Sequence, residues 1–191
     1  MQLILASASP RRVELLRLLG YPFLIAASGA DEQSPQYMTP VESCQLNAYR
    51  KARAVAKHHP DAVVIGADTE VCLGRRVFGK PSSFVEACSM LRRLQGHTHQ
   101  VITGVCLLHL RRHHQTCFAE LTDVRFHRLN RNQTEGYLKR IDPYDKAGAY
   151  AVQEHGHLII EAIDGSFTNV VGLPVERLAR ELSRFLPMAP A

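Results

Sequence analysis

The chain has 191 residues, of which 46% are hydrophobic and 21% are charged, and its formal net charge is +5. This composition excludes disordered and fibrous proteins and fits a single globular domain, 1–191, that can bury a sizeable core. No apolar run approaches the roughly 20 residues of a membrane span, and the N-terminus lacks the pattern of a secretory signal. We therefore expect a cytoplasmic protein with no membrane partner, and the positive charge indicates an anionic one, either nucleotide or nucleic acid.

Hydrophobic spacing predicts alternating strands and helices along the chain. In chain order these are a strand at Leu3 to Ala6, helices at Pro10 to Leu19 and Val41 to His58, a strand at Ala62 to Leu73, a helix at Phe84 to Leu94, strands at Val101 to Leu110 and Phe118 to His127, a helix at Arg131 to Lys139, strands at Leu158 to Ile163 and Thr168 to Val171, and a helix at Val175 to Leu186. This order predicts an α/β fold with a mixed sheet.

The cysteines and histidines predict no metal centre of their own. The five cysteines are scattered singly and without a Cys-x-x-Cys pair, which is typical of reduced packing residues: Cys44, Cys72, Cys88, Cys106 and Cys117. The pairs His97/His99 and His155/His157 would each share one face of a strand, but no second pair follows at metal-ligand spacing. We therefore predict that these histidines lie at the surface.

The stretch "LASASPRR" joins the first predicted strand to the first predicted helix. Ser9 is a suitable N-cap and Pro10 suits the first helical position, so the free N–H groups of the helix start favour an anion. Arg11 and Arg12 add guanidinium groups suited to phosphate oxygens, and Ser7 and Ser9 add hydroxyls. The alternative is a capped helix whose arginines are only solvated.

Residues Gly74 to Lys80 match the first seven positions of a phosphate-binding P-loop, but the next residue is Pro81. A P-loop needs Ser or Thr there, because its hydroxyl binds magnesium and the helix has already begun. We therefore predict a hairpin turn that ends at Gly79, with Lys80 still able to reach a phosphate.

Two charged residues fall at positions predicted to be buried. Asp68 lies within or just beyond an apolar strand, where an unpaired carboxylate is costly. Lys51 shares the apolar face of its helix with Cys44, Ala48 and Val55. Together they predict either a catalytic or anion-binding pair, or a purely structural ion pair.

Six segments, in this order and over nearly the whole chain, resemble the Maf family of nucleoside triphosphate pyrophosphatases: "LASASPRRVELL", "NAYRKA", "GADT", "GKP", "DKAGAYAVQ" and "DGSFTNVVGLP". The resemblance implies a Maf/ITPase-like twisted mixed β-sheet with flanking helices and two lobes around a deep cleft. It also implies a homodimer, a divalent metal cation (Mg, Mn or Co), and cleavage of a nucleoside triphosphate to monophosphate and pyrophosphate. The family's link to septum formation leaves a non-enzymatic or nucleic-acid-binding regulator as the alternative of another class.

The resemblance also implies roles for particular residues. Asp68 is the implied proton acceptor that activates water, and Glu32 in "ADE" joins it as a metal-side carboxylate. Cleavage at the α-phosphorus requires neutralised phosphates and a stabilised leaving group, which is work for cations. The chain offers four at matching positions: Arg11, Arg12, Lys51 and Lys80.

Three positions predict the substrate. Arg11, Thr69 and Gln153 resemble the branch of the family that acts on dTTP and UTP, in a role of nucleotide-pool sanitation, whereas a branch linked to 7-methylguanosine triphosphate has tryptophan, glutamine and glutamate in these places. The amide of Gln153 is both donor and acceptor, as the N3–H and carbonyl of uracil or thymine require. Glu154 follows directly, so a register shifted by one residue would favour guanine instead.

Overall fold

The computed structural model describes residues 1–33, 35 and 37–186. The strands of this part are β1 (Leu3–Leu5), β2 (Leu24–Ile25), β3 (Val63–Leu73), β4 (Arg76–Phe78), β5 (Thr98–His109), β6 (His114–Phe126) and β7 (Ile160–Asp164). Its α-helices are α1 (Pro10–Arg17), α2 (Pro40–Ala56), α3 (Phe84–Leu94), α4 (Arg131–Leu138), α5 (Phe167–Val171) and α6 (Val175–Leu182). Two 3-10 turns, Ala147–Ala149 and Gly156–Leu158, precede β7.

The strands form one mixed sheet in the order β2-β1-β3-β5-β6-β7, with β4 paired to β3. Strand β1 pairs in parallel with both β2 and β3, whereas β3–β4 and β6–β7 are antiparallel pairs. The mixed α/β architecture expected from the alternating pattern is therefore confirmed. Among the helices of the described part, none is long and apolar enough to cross a membrane.

The chain divides into two compact units. Of the described residues, the first contains those of 1–68, 103–120 and 172–186, and the second contains residues 69–102 and 121–171. The core of the first unit lies where α2 packs on the sheet, and its buried members include Ile4, Ala48, Ala52, Val64 and Cys106. Small residues on this face of α2 allow the helix to approach the strands closely.

Two glycines of the sheet show how close that approach is. A Cβ added at Gly66 in β3 would lie 2.1 Å from the carbonyl oxygen of Ala48, and one added at Gly104 in β5 would lie 2.3 Å from the carbonyl carbon of Cys44. Both distances are far below van der Waals contact, so the backbone of α2 rests directly on the strands. This contact fixes the distance between the backbone of α2 and the two strands.

The second unit has its own apolar core around α3 and α4. Its buried members include Leu91, Leu94, Phe126, Tyr137 and Tyr150. The side chain of Tyr137, which is 1% exposed, also bonds to the backbone of the segment that follows α4: its hydroxyl donates to the carbonyl of Ala151 and accepts the N–H of the same residue. The core thereby anchors the chain between α4 and β7.

One predicted strand is a helix. Residues Thr168–Val171 lie in α5, because the hydroxyl of Ser166 accepts the N–H of Asn169 at 3.1 Å and begins a helical turn. The buried amide of Asn169 then donates to the carbonyl of Val101 and the hydroxyl of Thr122. A short β-branched run cannot distinguish strand from helix by its pattern alone, and these distant partners decide the outcome.

The prediction for the histidines is correct for three of four. His97, His155 and His157 are exposed, but His99 is 1% exposed and its Nε2 lies 2.8 Å from the hydroxyl of Tyr150. The prediction was wrong there because His99 lies within β5 and faces the rings of Phe126 and Tyr150. The five cysteines, all within the described residues, are free thiols as expected.

Candidate active site

The joint between β1 and α1 differs in one respect from the prediction. Ser9 occupies the N-cap position with extended backbone, but among the described residues its side chain makes no capping hydrogen bond. The hydroxyl of Ser7 instead accepts the N–H of Ser9 at 3.2 Å and lies 3.4 Å from Nη1 of Arg12, which donates to it. Ser7 therefore orders both the helix start and one of the two arginines.

Arg12 is held at a fixed place in the first unit. Its Nε donates to the carbonyl of Gly172 at 2.9 Å. Burial lowers the pKa of Arg12, and the negative charges of Asp68 and Glu32 partly offset this effect, whereas the positive charge of Arg11 adds to it. Arg12 therefore lies close enough to Arg11, Asp68 and Glu32 to interact electrostatically with each, and the two carboxylates come from other segments of the chain.

Lys51 joins those two carboxylates. Its Nζ lies 2.7 Å from Oδ1 of Asp68 and 2.7 Å from Oε1 of Glu32. The side chains of Lys51 and Asp68 are 10% and 8% exposed, whereas that of Glu32 is 55% exposed. The prediction that Lys51 faces inward toward a buried acid is confirmed, and Glu32 reaches the same ammonium group from a loop.

Asn47 is part of this cluster and was not found by the sequence reasoning. Its Nδ2 donates to Oδ2 of Asp68 at 3.1 Å and to the carbonyl of Gln33 at 3.0 Å, while its Oδ1 accepts the N–H of Gln33 at 2.8 Å. Asn47 thus fixes Asp68 and the residue next to Glu32 together. Its position four residues before Lys51 on the same helix face was the signal that could have revealed it.

A second carboxylate follows Asp68 on the same face of β3. Asp68 and Glu70 are two residues apart on this strand and both are buried. The Sγ of Cys44 lies within 4.8 Å of an Asp68 oxygen. Carboxylate oxygens are the donors that hard divalent cations prefer, and Asp68 and Glu32, each 2.7 Å from Nζ of Lys51, supply such oxygens in the first unit. The alternation in "ADTE" could have indicated Glu70.

The other predicted site residues lie in the second unit. Thr69 is partly buried, and Lys80 and Gln153 are exposed. Residues 74 and 75 form the turn between β3 and β4, so the predicted hairpin is confirmed and Lys80 follows it outside any helix. The N–H of Gly148 donates to the carbonyl of Gly79 at 3.0 Å, which brings the segment of Lys80 beside the one that leads to Gln153.

Comparison with known proteins gives concordant matches. A family model described as Maf-like protein matches residues 2–185. The dTTP/UTP pyrophosphatase of Bacillus velezensis is 47% identical over 185 residues, which cover 96% of each chain, and that of Geobacillus sp. (strain WCH70) is 46% identical over 183 residues, which cover 96% of this chain and 97% of the relative.

Solved structures share the fold at low sequence identity. The Ham1 protein of Staphylococcus aureus matches with a TM-score of 0.55 and 13% identity over 97% of this chain and all of that one. A HAM1 protein from Coxiella burnetii matches with a TM-score of 0.54 and 13% identity, over 96% and 99% of the two chains. The mixed sheet is thus found in known proteins, and the full-length family match shows that the chain belongs to the Maf family.

Proposed function

We propose that this chain hydrolyses dTTP and UTP to the monophosphate and pyrophosphate, as a pyrophosphatase that removes unwanted nucleotides. The observation that carries the proposal is the buried Lys51–Asp68 pair, with Glu32 on the same ammonium group and Arg12 nearby. Cations and carboxylates at such close range are what attack on a phosphoryl centre requires. Relatives named dTTP/UTP pyrophosphatase, about half identical over nearly the whole chain, support the same substrates.

In this proposal Asp68 accepts the proton of the attacking water. Hydrogen bonds from Lys51 and Asn47 use two of the roughly four lone-pair sites of its carboxylate, so an acceptor site is left for water. The two bonds also hold the carboxylate in one orientation, which proton transfer at a defined angle requires. Four cationic side chains neutralise the negative charge of the α-phosphate and of the pyrophosphate leaving group: Arg11, Arg12, Lys51 and Lys80.

The carboxylates of Glu32 and Asp68 would hold a divalent cation, Mg²⁺, Mn²⁺ or Co²⁺. Such an ion supplies Lewis-acid polarisation of a phosphoryl oxygen and neutralises its charge. The proposal is supported by the carboxylate oxygens of Glu32 and Asp68, which each lie 2.7 Å from Nζ of Lys51, and by the 55% exposure of the Glu32 side chain, which makes its carboxylate accessible from solvent.

The preference for pyrimidines is assigned to Arg11, Thr69 and Gln153. Either Gln153 or its neighbour Glu154 could be the residue that reads the base, and the structure supports Gln153. An oxygen of the Glu154 carboxylate lies 3.3 Å from Nζ of Lys146, whereas Gln153 is exposed. A side chain already in an ion pair is a poor candidate for the base pocket. An amide, in contrast, pairs with the donor and acceptor of uracil or thymine.

The biological setting completes the proposal. We place the protein in the cytoplasm, since five free cysteines suit a reducing compartment. We infer that the two units act as lobes of one catalytic domain, that the chain is a homodimer, and that nucleic acid is not its main partner.

The test is the release of pyrophosphate by the purified protein from the eight common ribonucleoside and deoxyribonucleoside triphosphates and from modified pyrimidine triphosphates, with each of the three metals. We expect UTP and dTTP to be hydrolysed fastest, with UMP or dTMP as the second product. Diphosphate and free phosphate as products would contradict the assignment. Salt-sensitive nucleic-acid binding without turnover would favour the regulator instead.

Asp68→Asn provides the catalytic control. The amide cannot accept a proton at the pH of the assay, so kcat should fall by on the order of 10² or more. The same variant keeps the volume of the side chain and an oxygen that Lys51 can bond. A thermal unfolding midpoint that collapses together with activity would instead identify the pair as structural, and an active and stable variant would exclude Asp68 as the proton acceptor.

A further inference from the structure

A second buried lysine, Lys146, lies in the segment before β7. Its side chain is 6% exposed, and Nζ donates to the carbonyl of Asp142 at 2.7 Å and to Oδ1 of Asp145 at 2.8 Å. The Oε1 of Glu154 lies 3.3 Å away. One backbone carbonyl and two carboxylates thus surround this ammonium group, and all three belong to the segment of residues 142–154. Lys146 links the beginning of the segment to its end.

The chain between Lys146 and Glu154 turns sharply and is anchored at a second point. Ala149 within this stretch and His155 directly after it both have positive φ, an uncommon conformation for residues with a side chain. The N–H of Ala149 donates to the carbonyl of Lys146 at 3.1 Å. Further on, both backbone groups of Ala151 bond to the buried hydroxyl of Tyr137, at 3.0 and 3.1 Å.

Gln153 therefore lies between two fixed points. Ala151 is held by Tyr137 two residues before it, and Glu154 is held by Lys146 directly after it. A side-chain amide that reads a base must present its donor and its acceptor at the correct angles, which an unanchored loop would do only at an entropic cost. The two anchors reduce that cost before any substrate binds.

We propose that Lys146 is a positioning residue for substrate selection: its ion pair with Glu154 holds the backbone that orients Gln153 toward a pyrimidine base. The inference rests on the proposed function, since it assumes that Gln153 reads the base. Lys146 then governs which triphosphate is preferred, whereas the Lys51–Asp68 pair in the first unit governs hydrolysis. Loss of the anchor should lower the pyrimidine preference and leave the hydrolytic chemistry in place.

The test measures kcat/KM for UTP and for GTP in the intact protein and in Lys146→Met and Glu154→Leu. We expect the UTP-to-GTP ratio to fall on the order of tenfold in both variants, with the loss mainly in KM for UTP. Glu154→Leu leaves Lys146 paired with Asp145, so this variant decides the question if Lys146→Met fails to fold. Lys146→Arg and Glu154→Gln keep a hydrogen bond across the pair and should retain most of the ratio.

The outcomes separate the inference from the proposed function. A parent protein with no preference for UTP would overturn both, since there would then be no selection to position. A parent protein that prefers UTP, with both variants retaining that preference, would overturn the role of Lys146 alone. An equal loss on UTP and GTP, accompanied by a lower unfolding midpoint, would show that the anchor serves only stability and would likewise overturn it.

Discussion

Gly66→Ala should displace α2 and disturb the Lys51–Asp68 pair without altering either residue. The new Cβ would lie 2.1 Å from the carbonyl oxygen of Ala48 and 2.7 Å from the nitrogen of Ala52. A carbon–oxygen contact of about 3.3 Å is the ordinary limit, so the helix must withdraw by about 1 Å. Lys51 lies between these two helix residues, so its ammonium group moves with them.

The cost of this displacement can be estimated in two ways. Overpacking of a well-packed core costs about 1 to 3 kcal/mol of unfolding free energy. A misplacement of about 1 Å at a catalytic group lowers the rate by up to about 10²-fold. We therefore expect Gly66→Ala to lower both the free energy of unfolding in urea and kcat for UTP.

The matched control is Gly136→Ala in α4. A Cβ added at Gly136 meets none of the described atoms within 4 Å, and alanine is favoured over glycine in a helix by about 1 kcal/mol. This variant should be at least as stable as the parent and equally active. If Gly66→Ala behaved in the same way in both assays, the close packing of α2 would not be what positions Lys51.

Three other predictions follow from the described side chains. Burial lowers the pKa of His99 from 6.5 to about 4, so the neutral ring contributes stability that is present above pH 6.5 and lost as the pH falls toward 4. The loss should reach about 2 kcal/mol at pH 5, and His99→Gln should lack this part of the pH dependence in urea unfolding; an unchanged slope would contradict it. Gln153→Glu should lower kcat/KM for UTP by about 10- to 100-fold, because a lost contact in a base pocket costs about 1 to 3 kcal/mol. Glu154→Gln should change kcat/KM little. The reverse result would identify Glu154, and not Gln153, as the residue that reads the base. Chelation of divalent cations should abolish turnover but leave the unfolding midpoint unchanged, because Lys51 already compensates Asp68, and a lower midpoint would indicate a structural metal.

The helices could be predicted from the sequence where an apolar face and a cap agree. The helix predicted at Phe84 to Leu94 is observed with the same bounds, since the hydroxyl of Ser83 accepts the N–H of Glu86 at its start. The pattern failed at Thr168–Val171 because the decisive bonds of Asn169 reach residues 68 and 47 positions away in the chain. No local pattern contains such partners.

For the candidate site too, the sequence predicted which residues face inward but not all of their partners. The helical spacing placed Lys51 on an inward face and the strand pattern placed Asp68 in the interior, and together they predicted an ion pair that is observed at 2.7 Å. Asn47 was missed because asparagine in a helix is normally interpreted as a solvated residue, and its role depends on the loop of Gln33 folding back onto α2. Spacing indicates which face a residue occupies, whereas its partners depend on how loops return to that face.

The charges around Lys51 argue for a working site over a purely stabilising pair. A buried ion pair contributes little net stability, because the loss of solvation offsets most of the attraction. Here one ammonium group bonds two carboxylates, and the second one, Glu32, is 55% exposed on a loop. Such an arrangement is poorly suited to stabilising a core, but it suits the proposed site. There the carboxylates of Glu32 and Asp68 would hold a divalent cation, and Lys51, still bonded to Asp68, would neutralise phosphate charge. Of these three groups, the two carboxylates outnumber the single ammonium group, and this excess of negative charge favours the binding of a divalent cation.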